Sequence, residues 1–201
     1  LLAYGVDQVF VYDRKELEHF SVLTYANVFA DFITRIRPSS ILVGATNAGR
    51  SLAPRVAARF RTGLTADCTV LEMKENTDLV QIRPAFGGNI MAQIVTPRNR
   101  PQFCTVRYKI FSAPSVTEEP TGVIQSMEVT DDMIDRRIRV EEIIHKPKEI
   151  DISEAEVIVA AGRGVKSQAD LEMIRELASA LDAQTACTRP LIECGWFDPR
   201  R

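Results

Sequence analysis

Five apolar residues that stop at a glycine set the strongest limit on how this chain can fold. Val157, Ile158, Val159, Ala160 and Ala161 form a short continuous run, the pattern of a strand buried on both faces of a parallel sheet. Gly162, Arg163 and Gly164 end it at once. Ser167 then stands at an N-cap position with Asp170 three residues on, a variant of the capping box. Leu171, Ile174, Leu177, Ala178 and Leu181 follow at helical spacing. A second strand begins near Gln184 and ends at Thr188 and Arg189. Strand, glycine turn, helix and strand in that order call for two parallel strands whose carboxyl ends lie side by side.

That juxtaposition has chemical content. A glycine turn opening onto a helix N-terminus offers backbone N–H groups and the positive end of the helix dipole, which suits a phosphate or another anion. Arg163 adds a full charge. A lone Gly-Arg-Gly usually does no more than join a strand to a helix, but the crevice at the carboxyl ends of neighbouring parallel strands is where doubly wound sheets bind ligands. Arg163, Thr188 and Arg189, with the backbone of Gly162 and Gly164, are therefore the candidate binding residues.

The first part of the chain repeats the strand–helix theme. Gln8–Tyr12 reads as a strand, and Ser21 as the cap of a helix presenting Val22, Tyr25, Phe29, Ile33 and Ile36 on one face, closed by Pro38. Ser40–Gly44 reads as a buried parallel strand. Asn47 is the expected cap of a second helix, with Leu52, Val56 and Phe60 inward. The turn from Thr46 to Arg50 could hold a nucleotide phosphate, although capping is its commoner use. From Ala66 the period falls to two. Strands are expected at Cys68–Leu71, 79–82, 90–95 and 103–106, continuing the sheet without helices, with Pro84 and Gly87–Gly88 at an edge or protruding loop that contacts a domain or partner or is simply a hairpin corner. Val123–Val129 and Ile138–Ile144 alternate like a further pair of strands, with Asp131, Asp132 and Asp135 in a solvated turn between them. Lys146–Glu149 reads as a linker, which places an N-terminal domain at 1–146 and the start of a second at 147–201. A doubly wound domain needs about five or six strands. Only two can be drawn after Glu156, so the chain is expected to stop inside that domain.

Composition narrows the chemistry. A net charge of −2 gives no general pull toward nucleic acid or an anionic membrane, so an anion site has to be local. Cys68, Cys104, Cys187 and Cys194 are too irregularly spaced for zinc, an iron–sulfur cluster or a disulfide framework and read as reduced thiols. His19 and His145 lie in no metal-ligand or nucleophile pattern. With no signal peptide and no apolar run of transmembrane length, a cytoplasmic protein with no membrane insertion is expected. No Walker lysine, nucleophile elbow or metal motif supports an adenine-nucleotide enzyme.

Ala161–Ser167 (Ala-Gly-Arg-Gly-Val-Lys-Ser) followed by Thr188–Trp196 (Thr-Arg-Pro-Leu-Ile-Glu-Cys-Gly-Trp) resembles the start of the FAD-binding domain of the electron-transfer flavoprotein alpha subunit. Ala48–Arg59, Thr62–Cys68 and Arg83–Ala92 resemble the same family upstream, in the right order. The resemblance implies a largely parallel α/β N-terminal domain followed by the beginning of a Rossmann-like domain. It also implies pairing with a beta subunit, and transfer of electrons from dehydrogenases to an acceptor through FAD rather than catalysis by side chains. Arg163 matches the family arginine beside the FAD, Thr188 a hydroxyl residue contacting it, and Arg189 the arginine near the isoalloxazine. Thr188-Arg189-Pro190, where many members have Ser-Arg-Ala, resembles the branch that holds the bifurcating and nitrogen-fixation-type proteins. The family's later flavin contacts would lie beyond Arg201, so residues 1–201 alone are expected to hold FAD weakly or not at all. The competing expectations are a partner-docking module and an adenine-nucleotide-binding α/β domain without redox activity.

Overall fold

A computed structural model describes residues 1–144, 152 and 155–197, and the chain divides into two compact units, Leu1–Glu141 and Glu142–Arg201. His145 and the linker expected at Lys146–Glu149 lie outside the described residues.

The first unit contains eight strands and two α-helices: β1 (Gln8–Tyr12), α1 (Val22–Ile36), β2 (Ser40–Gly44), α2 (Asn47–Arg59), β3 (Leu64–Cys68), β4 (Val70–Met73), β5 (Leu79–Ala85), β6 (Ile90–Ile94), β7 (Gln102–Val106) and β8 (Val123–Met127). They build three sheets. β1 pairs with β8, and β7 lies between β2 and β3, all in parallel. β4, β5 and β6 form a separate antiparallel sheet. The expected uninterrupted sheet is thus divided. The Cys68–Leu71 stretch is two strands, because Asp67 takes a left-handed φ of 58° and the pairing of β3 with β7 shifts between Thr65 and Cys68. Gln102 links the two sheets. Its buried amide accepts from the Leu79 N–H at 2.8 Å and donates to the Thr77 carbonyl at 3.0 Å.

α1 and α2 pack on the β2–β7–β3 sheet through Ala26, Ile33, Leu52, Val56 and Ala57 against Ile41 and Phe103. Phe103 and Val56 have no exposed surface, so truncating Phe103 to alanine would cost about 3–5 kcal/mol. Ile36, expected on the buried face, is 39% exposed, because the helix ends there. Arg37 closes α1 in a left-handed conformation, its N–H on the Ile33 carbonyl, and Pro38 follows. The cap of α2 is Thr46, one residue earlier than expected: its Oγ1 accepts from the Gly49 N–H at 3.1 Å. Pro84 does lie inside β5, at a position facing only Met91 of β6, because the pairing with β4 stops at Ile82. There its missing N–H costs the ladder nothing. Residues 138–144 are not a strand: Arg139 pairs with Glu141 at 3.3 Å, and among the described residues the alternating pattern pairs with no strand edge.

The second unit holds β9 (Ile158–Ala161), α3 (Asp170–Ala180), β10 (Gln184–Cys187) and α4 (Arg189–Glu193). β9 and β10 are parallel with Ala161 opposite Cys187. Ala161, Leu171 and Leu191 form the core, joined by Val165, Ile174, Cys187, Trp196 and Phe197. The expected burial of β9 on both faces is not seen. Val157 and Ile158 are 45% and 44% exposed, and Leu177 on α3 and Leu181 at its C-cap are about half exposed. Among the described residues the sheet has two strands, too few to cover both faces of β9 or all of the apolar stripe of α3.

Candidate functional site

The site is built where β9 and β10 end. Past Ala161 the chain turns through Gly162, Arg163 and Gly164, and the Val165 N–H returns to the Gly162 carbonyl at 3.0 Å. Past Cys187, Thr188 donates its N–H to the Ala161 carbonyl at 2.9 Å and begins α4. That bond extends the ladder by one step and brings the two turns together. A Cβ placed on Gly162 would lie 3.5 Å from Thr188 Oγ1. Gly162, Arg163 and Gly164 thus share one end of the sheet with Thr188 and Arg189.

The functional groups differ in how far the protein itself occupies them. Arg163 is exposed and, among the described residues, takes part in no hydrogen bond or ion pair. The Thr188 hydroxyl is exposed and does not cap α4. Arg189 is committed: its Nε donates to Glu193 Oε1 at 2.8 Å. Both partners are largely exposed, so this i,i+4 pair is weak, and the guanidinium can leave it for a stronger acceptor. Glu193 was missed from sequence, although its spacing from Arg189 on a short helix is a legible signal.

The start of α3 corrects the expected anion site in one respect. Ser167 is not the cap. Asp170 instead reaches back to accept from the Ser167 N–H at 3.0 Å and the Lys166 N–H at 3.3 Å, half of the capping box. Hydrogen bonding at Ser167, then at the Lys166 backbone, holds the Asp170 carboxyl below the usual range. With those N–H groups taken by an internal carboxylate, a bound anion has the Gly162–Gly164 turn and the arginines as its donors, not the backbone of Lys166 and Ser167.

The glycines add a steric argument. Neither Gly162 nor Gly164 has a left-handed φ, and a Cβ on Gly164 would meet nothing within 4 Å. Nothing in the fold of this unit requires glycine at either place. Small residues there keep the backbone approachable from outside, the cradle that a phosphate-bearing cofactor needs. The donor set fits a flavin dinucleotide: guanidinium groups for phosphate or for a reduced, negatively charged ring, a hydroxyl, and bare backbone.

The Thr46–Arg50 turn is used up by the fold. Thr46 caps α2, Arg50 pairs with Asp67 at 3.0 Å, and a Cβ on Gly49 would strike the Gly44 carbonyl oxygen at 2.0 Å. Its glycine serves helix–strand packing, not a nucleotide. Asp131 pairs with Arg14, and Asp135 with Arg137, and each guanidinium holds its partner's carboxyl below the usual range. No cluster of three metal-binding side chains occurs among the described residues. Cys68, Cys104, Cys187 and Cys194 are all free thiols, and His19 is exposed.

Both units contain parallel strands flanked by helices, and the second ends its strands in a glycine–arginine turn beside a threonine–arginine helix start, at the sheet end where doubly wound folds bind ligands. The chain belongs to the electron transfer flavoprotein family: residues 1–132 match the electron transfer flavoprotein domain and residues 151–201 the electron transfer flavoprotein FAD-binding domain. It is 67% identical over 200 residues to the lactate dehydrogenase (NAD(+),ferredoxin) subunit LctC of Acetobacterium woodii, covering 100% of this chain and 48% of that protein. Protein FixB of Clostridium saccharobutylicum is 45% identical over 98% of this chain and 60% of its own length. The electron transfer flavoprotein subunit alpha of Clostridium acetobutylicum is 43% identical with the same coverage. The chain therefore spans about half to three-fifths of the length of these relatives. No helix among the described residues is long and apolar enough to cross a membrane.

Proposed function

We propose that this chain is part of an alpha-type electron-transfer flavoprotein subunit that carries FAD and passes electrons from a dehydrogenase to an acceptor, paired with a beta subunit. The observation that carries this reading is the bond from Thr188 N–H to the Ala161 carbonyl, which sets the Gly162–Gly164 turn against Thr188 and Arg189. When bound, the flavin supplies the redox chemistry. Arg163 and Thr188 bind and orient it, and Arg189, released from Glu193, places positive charge where reduction adds negative charge and so favours the reduced form. No side chain of the site acts as acid or base.

The relatives' names support the setting. The subunit from Acetobacterium woodii belongs to an NAD- and ferredoxin-linked lactate dehydrogenase, and a 35% identical protein of Anaerotignum propionicum is an electron transfer subunit of acryloyl-CoA reductase. We assign a dehydrogenase as electron donor by that analogy, and a cytoplasmic location from the sequence. We place the domain boundary between residues 146 and 147, a reading supported by the interval between the first family match, which ends at residue 132, and the second, which begins at residue 151.

The test is to co-express the complete protein with its beta subunit and measure flavin per heterodimer by absorbance. One FAD held by the native pair and lost in an Arg163→Ala, Thr188→Ala variant supports the assignment. A colourless native heterodimer, or full flavin content in the variant, refutes it. Residues 1–201 alone should retain little flavin, having only two strands of the FAD-binding domain among the described residues.

A further inference from the structure

A cationic hollow lies in the first unit between α1 and α2. It has a volume of about 660 Å³, and Arg55, Arg59 and Arg137 stand around a floor that includes Leu23, Ala26 and Ala58. The three arginines are not neutralised in step. Arg137 is held by Asp135, with Nε 2.9 Å from Oδ2 and 3.1 Å from Oδ1. Arg59 is held by a neutral group: its Nη1 donates to Asn27 Oδ1 at 2.7 Å. The Asn27 amide is itself oriented, because its Nδ2 donates to the Met133 carbonyl at 2.9 Å. On its other side Arg59 borders a shallow hollow with Asp31 and Asp132, yet it pairs with no carboxylate among the described residues. Arg55 has no hydrogen bond or ion pair among them either.

Three guanidinium groups against one carboxylate leave the hollow with an excess of two positive charges. The Asn27 amide holds Arg59 in place without cancelling its charge, which leaves the guanidinium able to take a carboxylate or phosphate through charge-assisted hydrogen bonds. We propose that this groove binds an organic phosphate, its phosphate oxygens on Arg55, Arg59 and Arg137 and its apolar portion on the floor. Phosphate fits better than carboxylate. A terminal phosphate presents three oxygens in different directions and carries more charge, whereas a carboxylate presents two oxygens in one plane, a match for a single fork.

The test uses the complete, flavin-loaded protein with inorganic pyrophosphate as probe and citrate as the carboxylate control, followed by calorimetry at low and moderate salt. Pyrophosphate should bind more tightly than citrate and weaken as salt rises. Arg55→Glu should weaken it about tenfold or more, the loss of one charge-assisted contact. That change cannot break an internal contact, because Arg55 makes none among the described residues. Asp135→Asn keeps hydrogen-bonding capacity and removes the one opposing charge, so it should tighten binding. Flavin absorbance should be unchanged throughout, which separates this site from the flavin turn. Equal affinity for pyrophosphate and citrate, indifference to Arg55→Glu, no tightening in Asp135→Asn, or loss of flavin on adding pyrophosphate would each overturn the proposal.

Discussion

Replacing Gly162 with alanine separates the needs of the fold from the needs of a ligand. In the folded chain the new methyl group would sit 3.5 Å from Thr188 Oγ1, an ordinary contact, and the backbone there is not left-handed. The unfolded chain, by contrast, loses freedom. The fold should therefore be unchanged or stabilised by about 0.4–1 kcal/mol. Gly49→Ala makes the control, because its methyl would lie 2.0 Å from the Gly44 carbonyl oxygen, more than 1 Å inside contact with backbone that cannot swing away. Relieving that overlap costs on the order of 3 kcal/mol, and alanine's better helix propensity offsets about 1 of it, so a net loss near 2 kcal/mol is expected. Urea unfolding of both variants measures the stabilities. Flavin titration, followed by quenching of its fluorescence, measures the site. If the turn receives the cofactor's phosphates against bare backbone, Gly162→Ala should bind FAD about tenfold or more weakly, roughly 1.4 kcal/mol, while remaining fully stable. Native flavin affinity in Gly162→Ala, or a stability loss equal to that of Gly49→Ala, would show that this glycine serves the fold instead.

Three other expectations concern the scaffold. Thr46→Ala removes the α2 cap and should cost about 1 kcal/mol in urea unfolding without altering flavin content; a loss of flavin would revive a nucleotide role for that turn. Burial, and next the hydrogen bond to Asp31, push the Tyr12 phenol up to about 12 from the 10 of the unfolded chain. The folded state thus holds that proton more tightly, and the stability it contributes is complete below pH 10 and lost as pH rises through 12. Tyr12→Phe should flatten that alkaline limb of a stability–pH curve, and an unchanged limb would contradict the assignment. Among the thiols, Cys194 is exposed while Cys68 and Cys104 have no exposed surface, and the hydrogen bond with Cys68, then burial, pushes the Cys104 thiol up. A chromogenic disulfide should titrate Cys194 first and reach Cys68 and Cys104 only on unfolding. Rapid native-state modification of either would refute their placement.

Much of the candidate site was legible in residue order. An apolar run cut by Gly162 specifies a strand and a turn, the spacing of Leu171, Ile174 and Ala178 specifies the helix, and βαβ connectivity then leaves two parallel carboxyl ends together. Local chemistry sufficed because each step involves residues close in sequence. What sequence could not decide were the pairings across distance. Whether Thr46 or Asn47 caps α2 depends on how closely Gly49 approaches Gly44. Whether Ser167 or Asp170 supplies the cap at α3 depends on a side-chain geometry that either residue could satisfy. Residues 138–144 carry the alternation of a strand, yet alternation is only half of a strand; the other half is an edge to bond, and among the described residues they pair with none. The division of the sheet at Asp67, and the convergence of Arg55, Arg59 and Arg137 from two elements on one hollow, likewise exist only after packing. Sequence by itself determined β9, α3 and β10 and the meeting of the two strand ends, since backbone sterics and hydrophobic period act locally. Tertiary structure decided which polar groups are spent on one another and which remain free for a ligand, because only folding brings distant partners within hydrogen-bond reach.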